Sequence, residues 1–163
     1  MIFERRAANT QQASEPAASP AITSVPAYAP DAGSGGHLNL SHERSILIVE
    51  DYFLIASDAQ AALTEAGYEV VGVAASAEEA NLIVSIRPPA LVIMDIRLSG
   101  RRDGVDLALE LFRKHGLRCV FATAHIDAEA QKRAAPAQPL GWLAKPYRPA
   151  ALVALVQNVL STL

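Results

Sequence analysis

Ile46-Leu47-Ile48-Val49-Glu50-Asp51 decides how this chain folds. Four apolar residues in a row, rich in β-branched types and without alternation, describe a strand buried on both faces. A parallel sheet covered by helices requires such strands. The run ends abruptly on two carboxylates. Three more runs end on polar groups: Leu91-Val92-Ile93-Met94 on Asp95, Val120-Phe121-Ala122 on Thr123, and Trp142-Leu143-Ala144 on Lys145-Pro146. In an open parallel α/β sheet, ligands bind outside the carboxyl ends of the strands. Three carboxylates, a hydroxyl and an ammonium at one sheet edge suggest a metal-assisted site for phosphoryl groups.

Around these runs, strand-like and helix-like stretches alternate from Ser45 onward. Short β-rich runs sit at 46–49, 69–73, 90–94, 118–122 and 141–144. Phe53, Leu54, Ile55, Ala59, Ala62, Leu63 and Ala66 mark a first helix, stopped by Gly67. Ser76 followed by Glu79 is a capping-box pattern, and Pro88-Pro89 ends that second helix. Leu107, Leu111 and Phe112 mark a third, ending at Gly116, and Asp127 is an N-cap for a fourth that Pro136 breaks. The fifth carries a wide apolar stripe of Leu152, Val153, Leu155, Val156, Val159 and Leu160. Strands alternating with helices imply right-handed crossovers. Five such units fit a flavodoxin-like, doubly wound parallel sheet in the order 2-1-3-4-5, with helices on both faces. The switch point then lies between strands one and three, which deliver Glu50, Asp51 and Asp95.

Composition narrows the function further. A net charge of −3 argues against a broad nucleic-acid surface. The longest apolar runs are far too short to span a bilayer, so no membrane insertion is expected. Cys119 is the sole cysteine, which excludes an internal disulfide and fits a reducing, cytoplasmic setting. Its place in an apolar strand reads as a buried, inert thiol. Residues 7–36 are dominated by Ala, Ser, Pro, Gln and Gly, too poor in bulky apolar side chains to offset the entropy of ordering them. Residues 1–42 are therefore expected to form a disordered extension, and 43–163 the folded domain.

Each polar residue has a plain structural reading taken singly: carboxylates after strands often serve turns and N-caps, and a lysine is usually just solvated. Their joint placement carries the argument. Carboxylates crowded in one cleft repel unless a cation sits among them. Oxygen ligands beside a phosphate suit Mg²⁺. A carboxylate can also act as a nucleophile and form an aspartyl-phosphate, whose oxygens the metal, Lys145 and the Thr123 hydroxyl would neutralise. A flavin or nucleotide enzyme on the same sheet would need a glycine- or hydroxyl-rich phosphate loop after the first strand, where this chain has Glu50-Asp51-Tyr52-Phe53.

Over residues 44–163 the chain resembles the response-regulator receiver domains of two-component signalling. The motifs are Ile48-Val49-Glu50-Asp51, Val92-Ile93-Met94-Asp95-Ile96, Phe121-Ala122-Thr123-Ala124 and Lys145-Pro146-Tyr147. The resemblance implies that Asp95 is the phospho-acceptor. Glu50 and Asp51 would form the acidic metal pair, with Asp95 and the backbone carbonyl of Arg97 as further Mg²⁺ ligands. Thr123 would be the switch hydroxyl and Lys145 the phosphate-binding lysine, its bond to Pro146 a cis peptide. Trp142 takes the place of the relatives' switch aromatic, three residues before the lysine. Arg97 and His125, two residues after Asp95 and Thr123, lie where relatives tune the hydrolytic water.

Besides Trp142, which replaces the usual Tyr or Phe, two features depart from the family pattern. The loop Arg97-Leu98-Ser99-Gly100-Arg101-Arg102-Asp103-Gly104 lacks the usual proline and runs one residue longer. The Phe-Ala-Thr triplet is similar to the FATGUY subclass of single-domain receivers, but Ala124-His125-Ile126 departs from that subclass. The expected role is a stand-alone regulator rather than an enzyme. It would take a phosphoryl group from a histidine kinase or phosphotransfer protein and act through a downstream protein partner or by phosphotransfer. The last helix's stripe is wide enough for a homodimer contact besides its core face. The alternative is a phosphorylation-independent interaction module, with the acidic cluster a relic.

Overall fold

A computed structural model describes residues 43–124 and 126–163. The expectations for residues 1–42 and for His125 lie outside the described residues. The elements run β1 (Ser45–Val49), α1 (Phe53–Glu65), β2 (Glu69–Ala74), α2 (Ala77–Ile86) and β3 (Leu91–Met94). They continue through α3 (Gly104–His115), β4 (Cys119–Thr123), α4 (Ala128–Ala134), a 3₁₀ turn (Ala135–Ala137), β5 (Gly141–Ala144) and α5 (Pro149–Leu160). All strand pairs are parallel and the order is β2-β1-β3-β4-β5.

The helix boundaries follow from local chemistry. The Ser76 hydroxyl accepts from the Glu79 backbone N–H at 3.2 Å, while the Glu79 carboxylate accepts from the Ala75 N–H at 2.8 Å. The capping box is thus present, shifted outward by one residue on its return arm. Asp103 caps α3 through the Asp106 N–H at 2.9 Å, and Asp127 caps α4 through the Ala130 N–H at 2.7 Å. Gly116 ends α3 in the left-handed region at φ 67°, which glycine adopts without Cβ strain. Pro136 converts the end of α4 into the 3₁₀ turn.

Side chains alternate along the strands into two cores. One face packs Leu47, Val49, Val92, Met94 and Phe121 against Ala80, Val84, Leu107, Leu111 and Ala134 of α2, α3 and α4. The other packs Ile46, Ile48, Leu91, Ile93, Val120 and Ala122 against Ala59, Leu63, Leu152, Val156 and Val159 of α1 and α5. The six apolar residues of the α5 stripe all pack against this second core, Val153, Leu155 and Leu160 in part. The helix markers Phe53 and Leu54 instead point to solvent, 77% and 60% exposed. Cys119 is buried, and that burial pushes its thiol up to about 12, consistent with an inert role. No helix among the described residues is long and apolar enough to cross a membrane.

Candidate acidic phosphoryl site

Parallel register delivers the polar residues to one sheet edge. Val49 pairs with Met94, so Glu50 and Asp95 leave adjacent strands together, and the Asp95 N–H donates to the Val49 carbonyl at 2.9 Å. Thr123 pairs with Ala144, and the Lys145 N–H donates to the Thr123 carbonyl at 2.9 Å. The expected cis peptide is present at Lys145-Pro146.

Glu50, Asp51 and Asp95 each present a carboxylate oxygen, and these oxygens lie within 4.8 Å of one another. Such a set fits a hard dication: the donors are all oxygen, their mutual repulsion is relieved by positive charge, and Asp51 stays open to solvent for the waters Mg²⁺ retains. Lys145 already supplies one positive charge. Its Nζ donates to Asp95 Oδ2 at 2.6 Å and also to Glu50 Oε2, and its side chain is only 9% exposed. Glu50 Oε1 accepts from the Tyr52 N–H at 3.2 Å, and Asp95 Oδ1 accepts from the Arg97 N–H at 3.3 Å. Burial holds the Glu50 carboxyl above the usual carboxylate range, against the opposing pull of Lys145. The Tyr147 hydroxyl is pushed up to about 12 by burial first and by the charges of Glu50 and Asp95 second.

Thr123 is buried at the end of β4. Trp142 is partly buried in β5 and stacks on Phe121, with ring centroids 4.6 Å apart and planes at 23°. Arg97 is exposed and meets Asp95 through its backbone N–H. Glu50, Asp51, Asp95 and Lys145 are thus brought into one cluster, with Arg97, Thr123 and Trp142 on the adjoining loop and strands.

Two residues of the loop carry roles that sequence reasoning did not assign. Gly104 opens α3 against the backbone of Asp95 and Ile96: its N–H donates to the Ile96 carbonyl at 2.7 Å, and a Cβ there would lie 1.9 Å from the Asp95 carbonyl oxygen. The glycine directly after an Asp N-cap was its available signal. The Ser99 hydroxyl donates to Asp51 Oδ2 at 2.6 Å. Nothing in the sequence foretells that bond, because it depends on the path of an irregular loop.

Comparison with known proteins agrees with this fold. Residues 46–157 match the family model of the response regulator receiver domain. The chain is 36% identical over 118 residues to the transcriptional regulatory protein PdtaR of Mycobacterium tuberculosis, covering 72% of this chain and 57% of that protein. It is 32% identical over 128 residues to the phyllosphere-induced regulator PhyR of Methylorubrum extorquens, covering 78% and 47%. The chain thus spans about half the length of these curated relatives. Among solved structures, it is similar to the receiver domain of a modulated diguanylate cyclase from Desulfovibrio desulfuricans G20. That match has a TM-score of 0.67 and 34% identity, and covers 72% of this chain and 94% of the other. The receiver domain of NtrX from Brucella abortus matches with a TM-score of 0.66 and 29% identity, covering 72% and 99%.

Proposed function

Because the chain belongs to the response-regulator receiver family, we propose that Asp95 accepts a phosphoryl group from the phosphohistidine of a kinase or phosphotransfer protein. An Asp95 carboxylate oxygen attacks phosphorus, the new O–P bond forms as the N–P bond breaks, and the bond's electron pair returns to the imidazole. The supporting observation is the position of Lys145, whose ammonium spans Glu50 and Asp95 beside the solvent-open Asp51. Glu50, Asp51, Asp95 and the Arg97 carbonyl would hold Mg²⁺. Bound there, it would supply positive charge against the phosphoryl oxygens. Lys145 orients the acceptor and can pass its hydrogen bond to a phosphoryl oxygen, the Thr123 hydroxyl binds another, and Trp142 reports or gates the change. The chain acts as a signalling domain that promotes its own phosphorylation and dephosphorylation.

The donor's docking surface lies next to the cluster. Tyr52, Phe53 and Leu54 are exposed at the start of α1. A mainly apolar cleft of about 430 Å³, lined by Ile55, Ala124, Pro146, Tyr147 and Pro149, reaches Lys145. A helix carrying the phosphohistidine suits such a surface. Output passes to a protein partner, directly or by onward phosphotransfer. The test is incubation with acetyl phosphate and Mg²⁺, read by intact mass, with Asp95→Asn and metal-free samples alongside. A metal-dependent phosphoryl adduct lost in the variant is expected. A folded protein unmodified by acetyl phosphate and by kinase donors would overturn the reading in favour of a phosphorylation-independent interaction module.

A further inference from the structure

The three carboxylates of the cluster are not held alike. Glu50 and Asp95 are each clamped twice, by Lys145 and by a backbone N–H. Asp51 lies on the open side, and the Ser99 hydroxyl holds its Oδ2 at 2.6 Å from 48 residues away in sequence. Ser99 sits in the departing loop, which is itself anchored beyond it. Arg102 pairs with Glu110 of α3, while Asp103 caps α3 and accepts from Arg133 of α4 at 2.6 Å. The chain turns sharply at Gly100, φ 119°, directly after Ser99. The stretch following Ser99 is therefore fixed to α3 and α4 and constrains where the hydroxyl stands.

A carboxylate offers about four lone-pair positions, of which one hydroxyl takes one. The bond thus restricts the rotation of Asp51 without consuming its capacity to bind a cation. Mg²⁺ demands near-ideal octahedral geometry, so a solvent-open carboxylate left to rotate is a poorer ligand than one already aimed. Hydrogen-bond partners that orient metal ligands are typically worth 10- to 100-fold in affinity. We infer that Ser99 is a positioning residue, which holds Asp51 in its metal-binding orientation and sets the Mg²⁺ affinity of the site. The inference rests on the reading of the cluster as the Mg²⁺ site.

The experiment is calorimetric titration of the full chain with MgCl₂, together with metal-free melting curves, for the wild type, Ser99→Ala, Ser99→Thr and Ser99→Val. The last two differ only in the hydroxyl and test it at constant shape. Ser99→Ala and Ser99→Val should bind Mg²⁺ about tenfold more weakly, the lower end of the range because the loop is exposed. Ser99→Thr should keep the wild-type affinity, and all metal-free melting temperatures should agree. Equal affinities for the Thr and Val variants would overturn the inference, as would tighter binding by Ser99→Ala, which would mean that the hydroxyl competes with the cation. A wild type that binds no Mg²⁺ would instead fail the reading of the cluster itself, and the role of Ser99 with it.

Discussion

Replacing Lys145 by methionine keeps the apolar stem and removes only the ammonium. In the native fold that ammonium sits 2.6 Å from Asp95 Oδ2 and also on Glu50, and both acidic residues are buried. The gross attraction at that distance is about 6 kcal/mol for one pair at an effective dielectric constant near 20, and desolvation of the three groups offsets much of it. Removing one partner of a buried pair typically costs about 3–5 kcal/mol, because a charge is left uncompensated. The lower end applies here, since the stranded Glu50 carboxyl can take up a proton. Glu50 is already held above the ordinary range by burial. A loss of about 3 kcal/mol at neutral pH follows, a fall of roughly 12 °C in melting temperature for a domain of this size. The loss should depend on pH. A carboxyl with a raised folded-state pKa binds its proton more tightly folded than unfolded, so its contribution to stability grows as pH falls from the folded value towards 4.5. Without Lys145 that growth is larger, and the variant's deficit should shrink between pH 7 and pH 5. Urea unfolding in EDTA at both pH values measures it, and added Mg²⁺ should recover part of the loss by mass action. A deficit under about 1 kcal/mol, below what any broken buried pair should cost, would refute the reasoning. So would one equal at both pH values.

Gly104→Ala should cost about 3 kcal/mol or more, because its Cβ would meet the Asp95 carbonyl oxygen at 1.9 Å and force the start of α3 away; a melting temperature near that of the wild type would contradict this close approach. Glu110 is pulled down to about 2 by hydrogen bonds from Lys114 and Arg102, so its contribution is full above pH 4.5 and lost as pH falls towards 2. Glu110→Gln should therefore destabilise by about 1 kcal/mol at pH 7, and its deficit should fade in unfolding curves taken at pH 3. Trp142 is the sole tryptophan, so its emission should change when acetyl phosphate and Mg²⁺ are added to the wild type and stay constant in Asp95→Asn. An unchanged spectrum in a protein shown by mass to be phosphorylated would remove Trp142 from the switch.

The fold was legible because its strands announce themselves. Leu47 and Ile48 must bury on opposite faces, and only a sheet covered on both sides provides that. The charged cluster was legible for a related reason: residues that end buried parallel strands share one edge whatever the loops do. Legibility stopped where position depends on irregular backbone. Ser99 reaches Asp51 only because of how a loop turns at Gly100. Phe53 and Leu54 fit a helical apolar pattern, but periodicity marks a face without saying what covers it, and here they project into solvent beside the cluster. Trp142 was legible as a strand residue, whereas its stacking partner Phe121 follows from a cross-strand register that no single run contains.

The electrostatics of the cluster bear on how a signal would leave it. Three carboxylates against one ammonium leave two negative charges, which a dication would balance. In the proposed reaction, a phosphoryl group on Asp95 carries its charge on oxygens farther from the strand than Oδ2, so the Lys145 ammonium is drawn outward and away from Glu50. Lys145 is not free to answer alone. Its N–H is bonded to the Thr123 carbonyl, and three residues back, on β5, Trp142 lies flat against Phe121. Phe121 in turn precedes Thr123 by two residues, which places both on the same side of β4. The Thr123 hydroxyl, the stacked Trp142 indole and the Lys145 ammonium directly after β5 therefore all ride on one pair of strands, β4 and β5, and among the described residues β5 is an edge strand of the sheet. An edge strand can shift without breaking a second ladder. Displacement of Lys145 is thus most cheaply absorbed by β5 itself, which makes the Phe121–Trp142 stack the contact where phosphorylation of Asp95 would first be felt outside the site.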